Sequence, residues 1–225
     1  MIELVAKPSV EDQWTEPPIL LPNVSPRLYG FDIRPDCTYW LSLQAFNRQW
    51  RDRIQDHAFV VYRRATCPYF TIEFKRDDST SITAENQVAI AGAVALYNRY
   101  LLRSEYLGLA KKDISDNAGL KHYGATFEGC KLVIWCIEPI FAQDKTWNGC
   151  TMSRIFRGYC DREEGLKSCV QWLNEIHAWA LTKYGPACQR DLKGCLGARG
   201  IRMSDIGMGD DVSDADIDED EPQDT

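Results

Sequence analysis

The chain has no apolar run near the roughly 20 residues that a bilayer-spanning helix needs; residues 132–137 are among its longest. It opens Met1-Ile2-Glu3-Leu4-Val5, without the basic start and apolar stretch of a secretory signal. Together these absences predict a protein with no membrane partner, held inside the cell in nucleus or cytoplasm. No Cys-x-x-Cys occurs among the nine cysteines, and their number is odd. Neither a structural zinc site nor a disulfide framework is expected, and Cys130 and Cys136 read as buried thiols in or beside an apolar strand. There is no internal repeat. His177 sits between Trp172 and Trp179, but no serine or cysteine nucleophile motif accompanies it, so it reads as a packed or surface histidine.

What is present supports a core. Hydrophobic residues make up 44% of the 225 positions and include seven tryptophans, enough for one substantial domain. Charge is unevenly placed. Residues 204–225 hold ten Asp or Glu and no Lys or Arg, which leaves 26 basic against 23 acidic residues in 1–203. The body is mildly basic, compatible with phosphate binding, and the tail reads as solubilising and disordered.

The first 28 residues contain Pro8, Pro17, Pro18, Pro22 and Pro26 and read as an extended lead-in, with order expected from about Tyr29. A strand is predicted over 37–43, then a short amphipathic helix over 43–55 with Leu43, Phe46, Trp50 and Ile54 at helical spacing. Strands over 57–64 and 69–75, joined by Ala65-Thr66-Cys67-Pro68, suggest an antiparallel hairpin. Residues 84–104 form a long helix whose Ala89, Ala91, Gly92, Ala93 and Ala95 leave a flat side for close packing on a sheet. Two strands follow over 123–127 and 131–137, the second ended by Pro139, and 147–159 suits another. A helix over 163–184 carries Leu166, Val170, Leu173, Ile176 and Leu181. The pattern is mixed α/β with a central sheet.

Within the strand Tyr69-Phe70-Thr71-Ile72-Glu73-Phe74-Lys75, Glu73 and Lys75 share a face, their α-carbons about 6.5 Å apart, while Ile72 and Phe74 point the other way into a core. One reading is a salt bridge at a strand end. The other is a metal-binding carboxylate beside a functional lysine. Asp36 could be the second carboxylate if its strand lies beside that of Glu73, and the carbonyl of Phe74 could add an oxygen. Such a set suits magnesium or manganese, which would activate water and offset phosphate charge while Lys75 steadied the developing anion. Asp56, 17 residues before Glu73, is the rival first acid; its plain reading is a solvated strand-start residue. Arg63-Arg64 and Lys75-Arg76 could meet phosphates or simply be solvated strand ends.

Pro35-Asp36 followed by Glu73-Phe74-Lys75 resembles the signature of the PD-(D/E)XK nuclease superfamily, and more closely the fungal PD-(D/E)XK nuclease-like domain proteins. The resemblance extends through Arg34-Pro35-Asp36-Cys37-Thr38-Tyr39-Trp40, Cys67-Pro68-Tyr69-Phe70, Glu85-Asn86-Gln87 and Trp172-Leu173-Asn174-Glu175-Ile176-His177-Ala178-Trp179, over about 30–185. It implies a restriction-endonuclease-like mixed central sheet flanked by helices. It implies Asp36 and Glu73, with Phe74, as ligands of magnesium or manganese, Lys75 as the catalytic lysine, and Gln87 on the next helix as a further site residue. Where certain relatives carry a tyrosine four residues after that glutamine, this chain has Ala91. The implied partner is nucleic acid, DNA first. The expected organisation is the lead-in over 1–28, a nuclease-like domain over 29–196 and an acidic tail over 197–225. A catalytically inactive protein that keeps the fold as a nucleic-acid or protein interaction module is the alternative.

Overall fold

A computed structural model describes residues 1–6, 15, 17–18, 34–46, 48–76, 81–110 and 119–198. Seven strands form one mixed sheet: β1 (Ile2–Ala6), β2 (Cys37–Ser42), β3 (Val60–Val61), β4 (Ala65–Lys75), β5 (His122–Glu128), β6 (Lys131–Phe141) and β7 (Trp147–Tyr159). The order across the sheet is β1-β2-β4-β5-β6-β7, with β3 paired to one end of β4. Only β4 and β5 run parallel. That pair needs a crossover, and α2 (Ser81–Ala110), a helix of 30 residues, lies between them in the chain. The other helices are α1 (Arg48–Ile54), α3 (Glu163–Trp179) and α4 (Gly185–Gly197). No helix among the described residues is long and apolar enough to cross a membrane.

Strand alternation divides the core between the two faces of the sheet. On β6, Val133, Trp135 and Ile137 join Val88 and Leu96 of α2. Leu132 and Ile134 point the opposite way and join Ile176 of α3 with Leu192 and Leu196 of α4. The small side of α2 makes the first contact close, as its composition suggests. A β-carbon on Gly92 would lie 2.1 Å from Ile137 Cδ1, and one on Gly124 would lie 2.2 Å from Val88 Cγ1. A larger residue at either position would force the Ile137 or Val88 side chain to move.

α4 is fastened to α2 by charge. Asp191, fully buried, receives Arg99 Nη2 at 2.6 Å and Arg103 Nη1 at 2.7 Å. An arginine cannot shed its charge, so a buried guanidinium needs a counter-ion. Tyr184, just before α4, donates its hydroxyl to the Pro68 carbonyl at 2.8 Å and ties the same corner to β4.

Several expectations are corrected. Residues 2–6 are not a loose lead-in but an edge strand whose Ile2–Ala6 pair with Leu41–Cys37. The rest of the Pro-rich segment falls mostly outside the described residues, as does the tail beyond 198. The hairpin turn lies at 62–64 rather than 65–68, because Tyr62 and Arg63 take φ of 49° and 55° without a glycine or asparagine to signal it. Cys67, also at positive φ, and Pro68 lie inside β4, where pairing to β2 shifts register around Trp40. The interruption tolerates a proline that regular pairing would exclude. Pro139 likewise does not end β6, which continues to Phe141 past a register shift. The helix over 43–55 divides into a single tight turn at Leu43–Ala45 and α1.

The last helix runs past Tyr184. A wide turn at Ala180–Tyr184 joins α3 to α4 just before Pro186, whose ring would clash in a regular helix interior. Cys130 is exposed in the β5–β6 turn, whereas Cys136 is buried. Phe74 is 50% exposed and stacks on Phe127 instead of entering the core. Leu166, Val170 and Leu181 are exposed too. On α3 the stripe Cys169, Trp172, Leu173 and Ile176 joins the core, leaving Leu166 and Val170 outside it, and Leu181 lies in the wide turn that follows.

Replacing Asp191 with Asn would strand two buried guanidinium groups, so Asp191→Asn should lose about 3–5 kcal/mol of stability. Urea unfolding of wild type and variant measures this, and a loss under about 1 kcal/mol would mean the triad does not hold α4 in place.

Candidate active site

The site forms where β2 begins and β4 ends. Cys37 pairs with Ile72, so one residue outward Asp36 stands opposite Glu73. Directly opposed residues of an antiparallel pair project from the same face. Here that face is the one under α2, because Glu73 is beside Thr126 in register and Thr126 Oγ1 accepts from Trp135, a residue of the α2-side core.

Asp36 is fixed by its Oδ2, which accepts the Phe74 N–H at 2.9 Å. Lys75 Nζ donates to Glu73 Oε2 at 3.1 Å. The Lys75 side chain is 19% exposed and that of Glu73 only 3%. Burial, above all, raises the Glu73 carboxyl above its ordinary value. Lys75 opposes the rise by hydrogen bond and charge, whereas the charge of Asp36 and a hydrogen bond between the two carboxyls add to it. Burial, with the charges of Asp36 and Glu73, also raises the neighbouring Cys37 thiol. Two acidic side chains thus stand opposite one another, with the Lys75 amine on one flank. The Phe74 carbonyl leaves the strand on the same side as its N–H, toward Asp36.

Of the residues singled out in the sequence, the structure brings Asp36, Glu73, Phe74 and Lys75 together. Asp56 belongs elsewhere. It pairs with Arg53 at 3.2 Å, before β3, which meets β4 at Thr66, seven residues and about 23 Å of strand from Glu73. Gln87 lies exposed on α2, one position before the buried Val88. Among the described residues its side chain makes no hydrogen bond to the acidic pair. Ala91 is buried against the sheet.

His177 is a packing residue. Its Nδ1 meets the Tyr69 hydroxyl at 2.8 Å, its ring lies edge-on to Tyr39, and burial lowers its pKa. Arg63 is engaged with Asp52 at 2.8 Å. Two features had no sequence signal. His122 is buried beneath Gly92, hydrogen-bonded to Thr71 Oγ1, and held neutral by burial, its pKa lowered to about 3. His57, Glu105 and Cys195 also converge, although they lie far apart along the chain.

No protein-family model, curated protein or solved structure matches the chain. The geometry of the site therefore carries the functional argument.

Because Glu73 titrates higher in the folded protein than in the unfolded chain, the folded state binds more protons between the two values. Its contribution is present below the unfolded value of about 4.3 and is lost as pH rises through the raised folded value. Glu73→Gln removes that loss. Thermal melts from pH 4 to pH 8 should show the variant gaining on wild type as pH rises, and a pH-independent difference would reject the raised carboxyl.

Proposed function

We propose that this chain is a metal-dependent nuclease of the PD-(D/E)XK type, hydrolysing phosphodiester bonds in nucleic acid, DNA first. Its mixed sheet is then of the restriction-endonuclease-like kind. The observation that carries the reading is the strand register that sets Asp36 opposite Glu73, with Lys75 Nζ 3.1 Å from Glu73 Oε2 on the flank. An apolar strand leads into Glu73 and a long helix follows Lys75, in the order the resemblance implies.

The donor set fits magnesium or manganese. Asp36 bonds the Phe74 amide through Oδ2 and Glu73 bonds Lys75 through Oε2, so each has a second carboxylate oxygen to offer, and Phe74 adds a carbonyl. All are hard oxygen ligands, and two opposed carboxylates suit a divalent cation better than each other's company. When bound, such an ion lowers the pKa of coordinated water and offsets phosphate charge.

The chain's own residues would divide the remaining work. Asp36, held by the Phe74 amide, keeps its carboxylate at a fixed point on the strand end. Burial raises the Glu73 carboxyl above its ordinary value, and a cation held beside it would favour the carboxylate form that binds it. Lys75 keeps its ammonium beside the acids on a rigid strand, where it can hydrogen-bond an attacking water or a phosphoryl oxygen gaining charge. Gln87, which the resemblance implies as a further site residue, lies exposed on α2.

Plasmid and single-stranded DNA incubated with magnesium test the proposal. Glu73→Ala and Lys75→Ala should each slow cleavage by about 10²- to 10³-fold. Equal cutting by wild type and both variants would place the activity elsewhere. Calorimetric titration with magnesium or manganese separates the alternative: no binding at millimolar metal would mark the protein as a non-catalytic module that keeps the fold.

A further inference from the structure

His57, Glu105 and Cys195 meet where the turn after α1 touches the C-terminal half of α2 and the end of α4. One ligand-capable atom from each lies within 4.8 Å of the others. The His57 side chain is 1% exposed, with Nδ1 2.7 Å from Glu105 Oε1. Its Nε2 is buried and has no hydrogen-bond partner among the described residues. Cys195 is fully buried. The Nδ1–Oε1 contact sets a nitrogen and an oxygen donor side by side, where an ion could replace the hydrogen that joins them as the ring proton passes to Nε2, which no other group occupies among the described residues.

We infer that these three side chains form a transition-metal site, and that zinc(II) is the ion they fit best. The donors are one nitrogen, one oxygen and one sulfur. Imidazole with thiolate selects zinc-like ions over magnesium, which takes oxygen ligands. A thiolate and a carboxylate offset the ion's two charges, so the loaded site is electroneutral, the condition burial favours. Binding releases the Cys195 thiol proton to solvent as the metal–sulfur bond forms. Three protein ligands leave one tetrahedral position for water. His57 also lines a cavity of about 480 Å³, with Asp56, Phe59, Cys67, Asn98 and Arg99. The site is independent of the Asp36–Glu73 pair and uses none of its residues.

Cobalt(II) titration of the full chain, followed by absorbance, tests this. Wild type should take one equivalent, develop the thiolate-to-cobalt charge-transfer band in the near ultraviolet, and lose it on adding equimolar zinc. Cys195→Ser should abolish the band. Glu105→Gln, at a side chain 40% exposed and therefore expected to fold, should weaken binding about tenfold or more. Cys130→Ser and Glu73→Gln should leave the band intact. No band in wild type, a band unchanged in Cys195→Ser, or a band removed by Glu73→Gln would overturn the inference. Because Glu73→Gln disables the acidic pair alone, failure of this site and failure of the nuclease reading give different results.

Discussion

The close seating of α2 on the sheet is the contact on which most of the structure rests. It depends on two missing side chains, at Gly92 on the helix and Gly124 on β5. With the helix that near, β4 and β5 can run parallel and adjacent, joined by a single crossover. Val88 and Leu96 complete the core on one face. Farther along the same buried stripe of the helix lie Arg99 and Arg103, on which α4 closes through Asp191. The same seating explains the state of Glu73: a carboxyl on the α2 face of a sheet covered this tightly loses water, and its proton affinity rises.

Polar groups are concentrated at a few places in the fold, and each has its own chemistry. The end of β4 gathers oxygen donors and an ammonium. The meeting point of α2, α4 and the turn after α1 gathers nitrogen, oxygen and sulfur. Between them, Asp191 neutralises arginines in a purely structural way. The difference lies in what remains unsatisfied. Both Asp191 oxygens are taken by guanidinium groups, whereas Asp36 and Glu73 are two acids set opposite one another and His57 retains a ring nitrogen without a hydrogen bond among the described residues.

Much of this was legible in the residues. Alternation in 69–75 placed Glu73 and Lys75 on one face, and the small residues of 89–95 signalled a close helix. The partnership of Asp36 with Glu73 follows once β2 and β4 are known to be neighbours, which strand pattern suggests but cannot align. Local signals failed where long-range pairing overrode them. Pro68 and Pro139 read as breakers yet sit in strands, because register shifts absorb a missing N–H. Tyr62 and Arg63 turn the chain without the usual turn residues. Residues 2–6 carried too little pattern to reveal an edge strand, and Phe74 lies too near the strand end to be covered. The convergence of positions 57, 105 and 195 has no local spacing at all, since it is made by tertiary folding alone.

The first strand has a consequence for the acidic pair. Ala6 pairs with Cys37, one position from Asp36. β1 therefore braces the start of β2 from the edge side, while β4 braces it from the other. Fraying of this short edge strand would loosen the point from which Asp36 reaches the Phe74 amide, so the outermost strand of the sheet helps to fix the geometry of its acidic end.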